Sequence, residues 1–293
     1  MPFKVVGVGG SGCAAVERMG GCEGCRLVAI NTDAASLLER KVENKVLIGL
    51  KVTKGRSTGN NLKLGQEAAV ADLDKIKSAL AGSKLTFLIA GLGGGTGAGA
   101  APVVAEAAKS LGSTVVAFVN LPFTAEGKIC QSNSEKGLQG LRPYCDLIIV
   151  VENDRFLQMV PNMSLRDAFT KVNHILLEAV QGMAKLTADS GVDNVKPMLN
   201  GYGTIGHGVG PSLRKAVDAC LGSALIGADI REAKNVLINF TANTPLQEGL
   251  QEALDQIAAK TNPQAGILWT STRDAGAEGV EALAVFSGVR YAF

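Results

Sequence analysis

A chain of 293 residues is long enough to build two domains. With 46% hydrophobic and 19% charged residues it reads as a folded globular protein rather than a disordered one. No run reaches the ~18 apolar residues of a membrane span, so direct membrane insertion is not expected. A net charge of +2, with no basic stretch interleaved with aromatics, gives no electrostatic case for nucleic acid.

Met1-Pro2-Phe3-Lys4 leads straight into an apolar run, Phe3 to Val8, which predicts a strand. No signal peptide is expected there, and the expected location is the cytoplasm. Gly7-Val8-Gly9-Gly10-Ser11-Gly12 follows, then a helix predicted from Cys13 to Met19. Leu27 to Asn31 predicts a second strand, ending in Asn31-Thr32-Asp33. Taken alone, this is a G-x-G-x-x-G turn with an acid about twenty residues further on, as a dinucleotide site requires. An NAD-binding protein is therefore the rival reading.

Lys45 to Gly49 predicts a third strand, and Gly55-Arg56-Ser57-Thr58-Gly59-Asn60-Asn61 a second glycine-bearing loop. A helix is predicted from Gln66 to Leu80 and a buried strand from Leu85 to Ala90. The next stretch, Gly91 to Pro102, holds Gly93, Gly94, Gly95, Thr96 and Gly97, and a helix is predicted from Val103 to Leu111. Strand, glycine loop, helix is the order in which bare backbone N–H groups and a helix N-terminus face an anion together. Ser113 to Leu121 and Asp146 to Val151 read as further strands. Alternating strands and helices predict a parallel sheet covered on both faces, with the loops at the strand ends converging on one ligand. A pyrophosphate needs one glycine loop; two or three converging loops suggest a nucleoside triphosphate. No G-x-x-x-x-G-K-[ST] occurs, which excludes a P-loop NTPase.

Ser164-Leu165-Arg166-Asp167 reads as a capping box opening a long helix to about Lys185. Leu165, Phe169, Val172, Leu176, Val180 and Met183 give it a continuous apolar face, with Asn173 and His174 beside it. Beyond it, strands are predicted at Thr204–Val209, Asn235–Phe240, Gly266–Trp269 and Val280–Val289, and helices at Leu213–Leu225 and Pro245–Lys260. This is a second, smaller α/β unit without a phosphate loop. The six cysteines, Cys13, Cys22, Cys25, Cys130, Cys145 and Cys220, are expected as reduced thiols. Cys22 and Cys25 have knuckle spacing, but no second pair exists and the only histidines are His174 and His207, so no metal site is expected.

Gly93-Gly94-Gly95-Thr96-Gly97-Ala98-Gly99 resembles the G-G-G-T-G-[ST]-G signature of the tubulin/FtsZ superfamily of filament-forming GTPases. Almost the whole chain is collinear with that family, and with its archaeal and bacterial FtsZ branch most closely. The resemblance implies a Rossmann-like α/β GTP-binding domain over residues 1–186, including a central helix at about 164–186, and an α/β polymerisation domain over 187–293. It implies GTP or GDP with Mg²⁺ as ligands, and a head-to-tail homopolymer as the assembly. Gly9, Gly10 and Ser11 match the first phosphate loop, Asn31 the second, Thr58 and Gly59 the third. Glu126 falls at the ribose contact, Asn153 at the nucleoside, Asn173 at the guanine edge and Phe169 at the aromatic stacked nearby.

Three positions depart from the family pattern. Cys13 stands where the family has asparagine, and Cys130 where it has a phosphate-directed arginine. After the central helix, Asp189-Ser190-Gly191-Val192-Asp193-Asn194 replaces the family's N-x-D-x-x-D loop. Asp193, with Asp189 behind it, is expected to reach the neighbouring subunit's nucleotide and complete hydrolysis. Because the sequence ends at Phe293, directly after the last predicted strand, no C-terminal partner-binding peptide is expected. A GTP-binding structural polymer or filament cap with little hydrolysis is the alternative.

Overall fold

The computed structural model describes residues 3–20, 24–155, 165–246 and 249–291, and the chain divides into two compact units. One comprises Met1–Ile148 with Glu152–Asp154, the other Ile149–Val151 with Arg155–Phe293.

The first unit runs β1 (Phe3–Val8), α1 (Gly9–Arg18), β2 (Cys25–Asn31), α2 (Ala34–Leu38), β3 (Asn44–Leu47), α3 (Leu50–Thr53), α4 (Leu62–Ala71) and α5 (Leu73–Leu80). It continues with β4 (Leu85–Gly91), α6 (Gly95–Ser110), β5 (Thr114–Leu121) and α7 (Lys128–Leu141); β6 (Leu147–Glu152) follows, with Ile149–Val151 counted in the second unit. Its strands pair in the order β3-β2-β1-β4-β5, parallel throughout. Central parallel strands are buried on both faces, which is why β4 and β5 read as unbroken apolar runs. Phe87, Leu88, Val115, Val116, Phe118 and Val119 are fully buried there.

Two helices start earlier than the sequence predicts. α1 begins at Gly9 rather than Cys13, and α6 at Gly95 rather than Val103. Propensity places glycine outside helices; here tertiary packing overrides it. A Cβ on Gly99 of α6 would lie 2.1 Å from Leu62 O, and one on Gly65 of α4 would lie 2.2 Å from Gly95 O. The glycines thus serve helix-to-helix contact as well as the loop. The helix predicted over Gln66–Leu80 is two helices, separated at Asp72. The Asp72 carboxylate accepts the Gly49 N–H at 2.7 Å and pairs with Lys75 at 2.6 Å, which fixes the break.

In the second unit, a helix spans Leu165–Ser190 and is followed by β7 (Gly201–Gly210), β8 (Asn235–Ala242), β9 (Gly266–Arg273) and β10 (Val280–Val289). The strand order is β7-β10-β8-β9, antiparallel except for β8 with β9. The long helix buries Ile175, Leu176, Ala179, Val180 and Met183. Helices Leu213–Leu221 and Leu250–Lys260 cover a core of Val217, Cys220, Val236, Ile238, Phe240, Ala253, Ile257, Ala284 and Phe286. The predicted capping serine, Ser164, lies outside the described residues.

The long helix also runs past Lys185, its predicted end, to Ser190. Thr187 Oγ1 donates back to Met183 O at 2.7 Å, and Gly191, at φ +84°, ends the helix. Asp189 therefore sits in the last helical turn, not in the following loop.

Candidate functional site

Strand order reverses direction between β1 and β4, and in open α/β sheets ligands bind outside the carboxyl ends of the strands at such a point. A cavity of about 290 Å³ lies there in the first unit. Among the expected residues, Gly9, Gly10, Ser11, Asn31, Gly59, Gly94, Gly95, Thr96 and Gly97 line it.

The electrostatics follow from how α1 and α6 begin. A helix leaves its first four N–H groups without intrahelical partners. Asp33 accepts the Ser36 N–H at the start of α2, and Asn61 accepts that of Leu64 at the start of α4. α1 and α6 start on Val8 and Gly94 with no capping side chain and no acid in the first turn. Of the helix ends that open on the cavity, these two are thus left to bind something else. Each favours an anion by about 0.3–1 kcal/mol when exposed, and up to ~2 kcal/mol when partly buried.

Glycine is required at their junction. Gly9 has φ +76°, and a Cβ on it would lie 3.0 Å from Gly97 N. A Cβ on Gly97 would meet Gly91 O at 2.0 Å. Backbone meets backbone here, leaving the cavity lined by peptide groups and short polar side chains.

Buried Thr96 organises the loops around it. Its Oγ1 is 2.9 Å from Thr32 Oγ1 and 2.8 Å from Thr58 Oγ1. The Gly95 N–H donates to Gly59 O at 2.8 Å, tying the third glycine loop to the start of α6. Thr58 therefore acts behind the cavity wall, through Thr96.

A second cluster gathers Gly93, Glu126 and Asn153. Glu126 Oε1 accepts the Phe123 N–H at 2.8 Å, and Glu126 Oε2 would be 3.3 Å from a Cβ on Gly93. Asn120 Nδ2 lies 3.4 Å from Asn153 Oδ1, and Asp154 accepts the Thr124 N–H at 3.0 Å. The loop after β5 is thereby held to the end of β6. These residues do not line the cavity itself.

The remaining expected residues belong to the second unit. Asn173 is half-buried on the long helix, and the Phe169 side chain lies outside the described residues. Asp189 pairs with Lys185 at 3.6 Å and accepts from Thr270 Oγ1 at 2.9 Å. Asp193 is exposed in the short helix Val192–Val195.

The cavity also collects Ser36, which the sequence did not single out, and Asp33, Ser57 and Gly91 from the stretches it did. Asn133 of α7 is another omission, donating to Asn60 O at 2.9 Å and Gly93 O at 3.1 Å. Nothing local marks it, because its partners lie on two distant loops.

At the departures, Cys13 is fully buried with its thiol 3.4 Å from Ile30 O, and burial pushes it up to about 12. It lies on the face of α1 that packs against β1 and β2. Cys130 is buried too, and a Cβ on Gly93 would lie 3.5 Å from its own Cβ.

A doubly wound sheet with two bare helix ends at its switch point defines an α/β nucleotide-binding protein of the phosphate-cradling kind. Residues 2–161 match the model of the Tubulin/FtsZ family GTPase domain. Cell division protein FtsZ 1 of Methanocaldococcus jannaschii is 39% identical, over 98% of this chain and 83% of its own. That of Archaeoglobus fulgidus is 38% identical, over 98% and 82%. The empty FtsZ dimer structure from M. jannaschii has a TM-score of 0.91 at 38% identity, covering 98% of this chain and 88% of that one. CetZ1 from Haloferax volcanii, in a GDP-bound monomer, shares the fold at TM-score 0.85 and 23% identity, over 99% of this chain and 95% of that one. This chain belongs to the Tubulin/FtsZ family, whose members are GTP-binding, filament-forming cytoskeletal proteins and GTPases. The nicotinamide reading of the first glycine turn is accordingly set aside.

Proposed function

We propose that this chain binds GTP through its first unit, assembles head to tail, and hydrolyses the nucleotide across the contact between subunits. The observation that carries the reading is the pair of uncapped helix ends, α1 at Gly9 and α6 at Gly95, on one polar cavity. Phosphate oxygens would take the N–H groups of Gly10, Ser11, Thr96 and Gly97. Glu126 would hold the ribose and Asn153 the nucleoside, while Asn173 reads the guanine edge beside Phe169.

Side-chain oxygens on the cavity include the Ser11, Ser57 and Thr96 hydroxyls and the Asp33 carboxylate. Such a set suits Mg²⁺, which binds through one or two protein oxygens, phosphate and water. When bound, the ion would neutralise γ-phosphate charge. Thr96 would orient a phosphate oxygen, and the helix ends would stabilise charge as it shifts towards the leaving group.

Asp193 is our first choice for the side chain that positions the attacking water on the next subunit's nucleotide. Its exposure supports this; Asp189 is partly engaged by Thr270 and Lys185. The division of labour follows the sequence: nucleotide binding over 1–186, assembly and activation over 187–293, in a cytoplasmic polymer of this chain alone. Cys130, standing where the family carries a phosphate-directed arginine, favours slower turnover as the second reading.

Phosphate release measured against protein concentration tests the proposal, with electron microscopy in GTP, GDP and no nucleotide. A cooperative rise in rate alongside filaments is expected. A monomer that ignores guanine nucleotides in the presence of magnesium would overturn it.

A further inference from the structure

The sequence has only two histidines, and both meet the same carboxylate. Glu178 and His174 lie one turn apart on the long helix, with His174 Nδ1 2.9 Å from Glu178 Oε1. His207 of β7 brings its Nε2 to 3.7 Å from Glu178 Oε2. Glu281 of β10 hydrogen-bonds the same Nε2 through its Oε1. Sheet register explains the meeting. His207 stands opposite Leu283 and Glu281 opposite Val209, so the two are diagonal neighbours on one face of an antiparallel pair. The glycines that alternate with His207, Gly206 and Gly208, give the other face to the helix Leu213–Leu221.

We propose that Glu178, His207 and Glu281 form a binding site for a divalent cation of the zinc type, with His174 holding the Glu178 carboxylate from the outer side. The site lies wholly in the second unit and does not rest on the nucleotide reading.

Four observations support it. First, one donor atom from each of the three residues lies within 4.8 Å of the others. Donors on a tetrahedral zinc stand roughly 3.3–3.5 Å apart, by the usual zinc–nitrogen and zinc–oxygen bond lengths. The 3.7 Å separation of His207 Nε2 and Glu178 Oε2 already approaches that. Second, the three side chains are largely withdrawn from water, at 13% exposure for His207, 20% for Glu178 and 21% for Glu281. Third, Glu178 Oε2 is buried and makes no hydrogen bond among the described residues. A buried carboxylate oxygen without a partner costs on the order of 1–3 kcal/mol, and more if charged. A cation in the gap would give that oxygen a partner. Fourth, His174 on the far oxygen of Glu178 is the kind of outer partner that fixes a ligating carboxylate.

The donor set selects the metal. One imidazole and two carboxylates suit zinc and its neighbours, whereas calcium needs six to eight oxygens. Three protein ligands leave a fourth position for water. As the cation binds, the proton between His207 and Glu281 and any proton held on the Glu178 carboxylate pass to solvent. It would tie the long helix to β7 and β10.

The test uses the full chain, stripped with a chelator and free of nucleotide. Zinc is titrated in competition with a chromophoric chelator, and Co²⁺ serves as the spectroscopic probe. One equivalent of zinc should bind and raise the melting temperature. Cobalt should give visible bands without the near-ultraviolet charge transfer of a thiolate. His207→Gln and Glu281→Gln should each weaken zinc about tenfold or more, and Cys25→Ser should leave it unchanged. Absence of stoichiometric binding overturns the proposal, as does binding that survives both substitutions. Thiolate bands that vanish in Cys25→Ser also overturn it, by placing the metal at the cysteines. If the substituted chains fail to fold, the cobalt spectrum of the unaltered protein decides alone.

Discussion

Thr58 Oγ1 lies 2.8 Å from Thr96 Oγ1 although 38 residues separate them. With Thr32 on the other side of Thr96, the three hydroxyls join the ends of β2, the loop before α4 and the start of α6. Two of the loops around the cavity thus answer to one side chain of a third.

Thr96→Val removes the central hydroxyl and leaves two buried hydroxyls short of a partner. The expected loss is about 1–3 kcal/mol of stability for each group left unsatisfied, read by urea denaturation. Affinity for a fluorescent GTP analogue should fall as well, because Thr58 loses its anchor. Unchanged stability would mean that the hydroxyls find other partners.

Gly97 and Gly94 separate packing from ligand approach. A Cβ at Gly97 would lie 2.0 Å from Gly91 O, whereas one at Gly94 meets nothing within 4 Å. Gly97→Ala should therefore cost about 1–3 kcal/mol through overpacking. Gly94→Ala should leave the melting temperature within a degree or two, yet weaken GTP binding, because its methyl intrudes where phosphate approaches the N-terminus of α6. Equal GTP affinity in Gly94→Ala and the unaltered protein would argue against phosphate at that helix end.

The two acids after the long helix should respond differently. Asp193→Asn should abolish phosphate release while sedimentable polymer still forms in GTP. Asp189→Asn exchanges a charge paired with Lys185 and a bond from Thr270 for a neutral amide. Its first effect should be a modest loss of stability, with turnover retained in part. Full turnover in Asp193→Asn would pass the role to Asp189 or remove it from both.

The thiols give a pH prediction. Burial pushes Cys13, Cys145 and Cys220 up to about 12, so they stay protonated where a free thiol ionises. The native state then holds more protons than the unfolded state from about 9 to about 12, and stability falls as pH rises through that window. Below it the three thiols are neutral in both states and contribute no slope. Alkylation of the native protein at pH 8, mapped by mass spectrometry, should mark half-buried Cys25 well before these three. Rapid labelling of Cys13 would contradict its buried position on the inner face of α1.

Much of the fold is legible in short stretches. Phe3–Val8 and Val280–Val289 carry their strands in β-branched and apolar content alone, and both begin and end where the sequence places them. The glycine signature at Gly93–Gly99 announces the cavity because few other structures tolerate such a run. Helix starts were less legible. Glycine lowers local propensity whether it lies in a loop or in a first turn, and only contact with α4 decides between them.

By itself, then, the sequence determined most of the strands, that the class is α/β, and that glycine-rich turns follow several of those strands. These are matters of periodicity and of the conformations open to a few neighbouring residues. Tertiary structure decided which side chains meet: Thr32 with Thr96, Asn133 with Gly93, and Glu178 with His207 and Glu281. Those pairings depend on strand order and register. Burial summed over the whole chain sets both, and no window of sequence contains it.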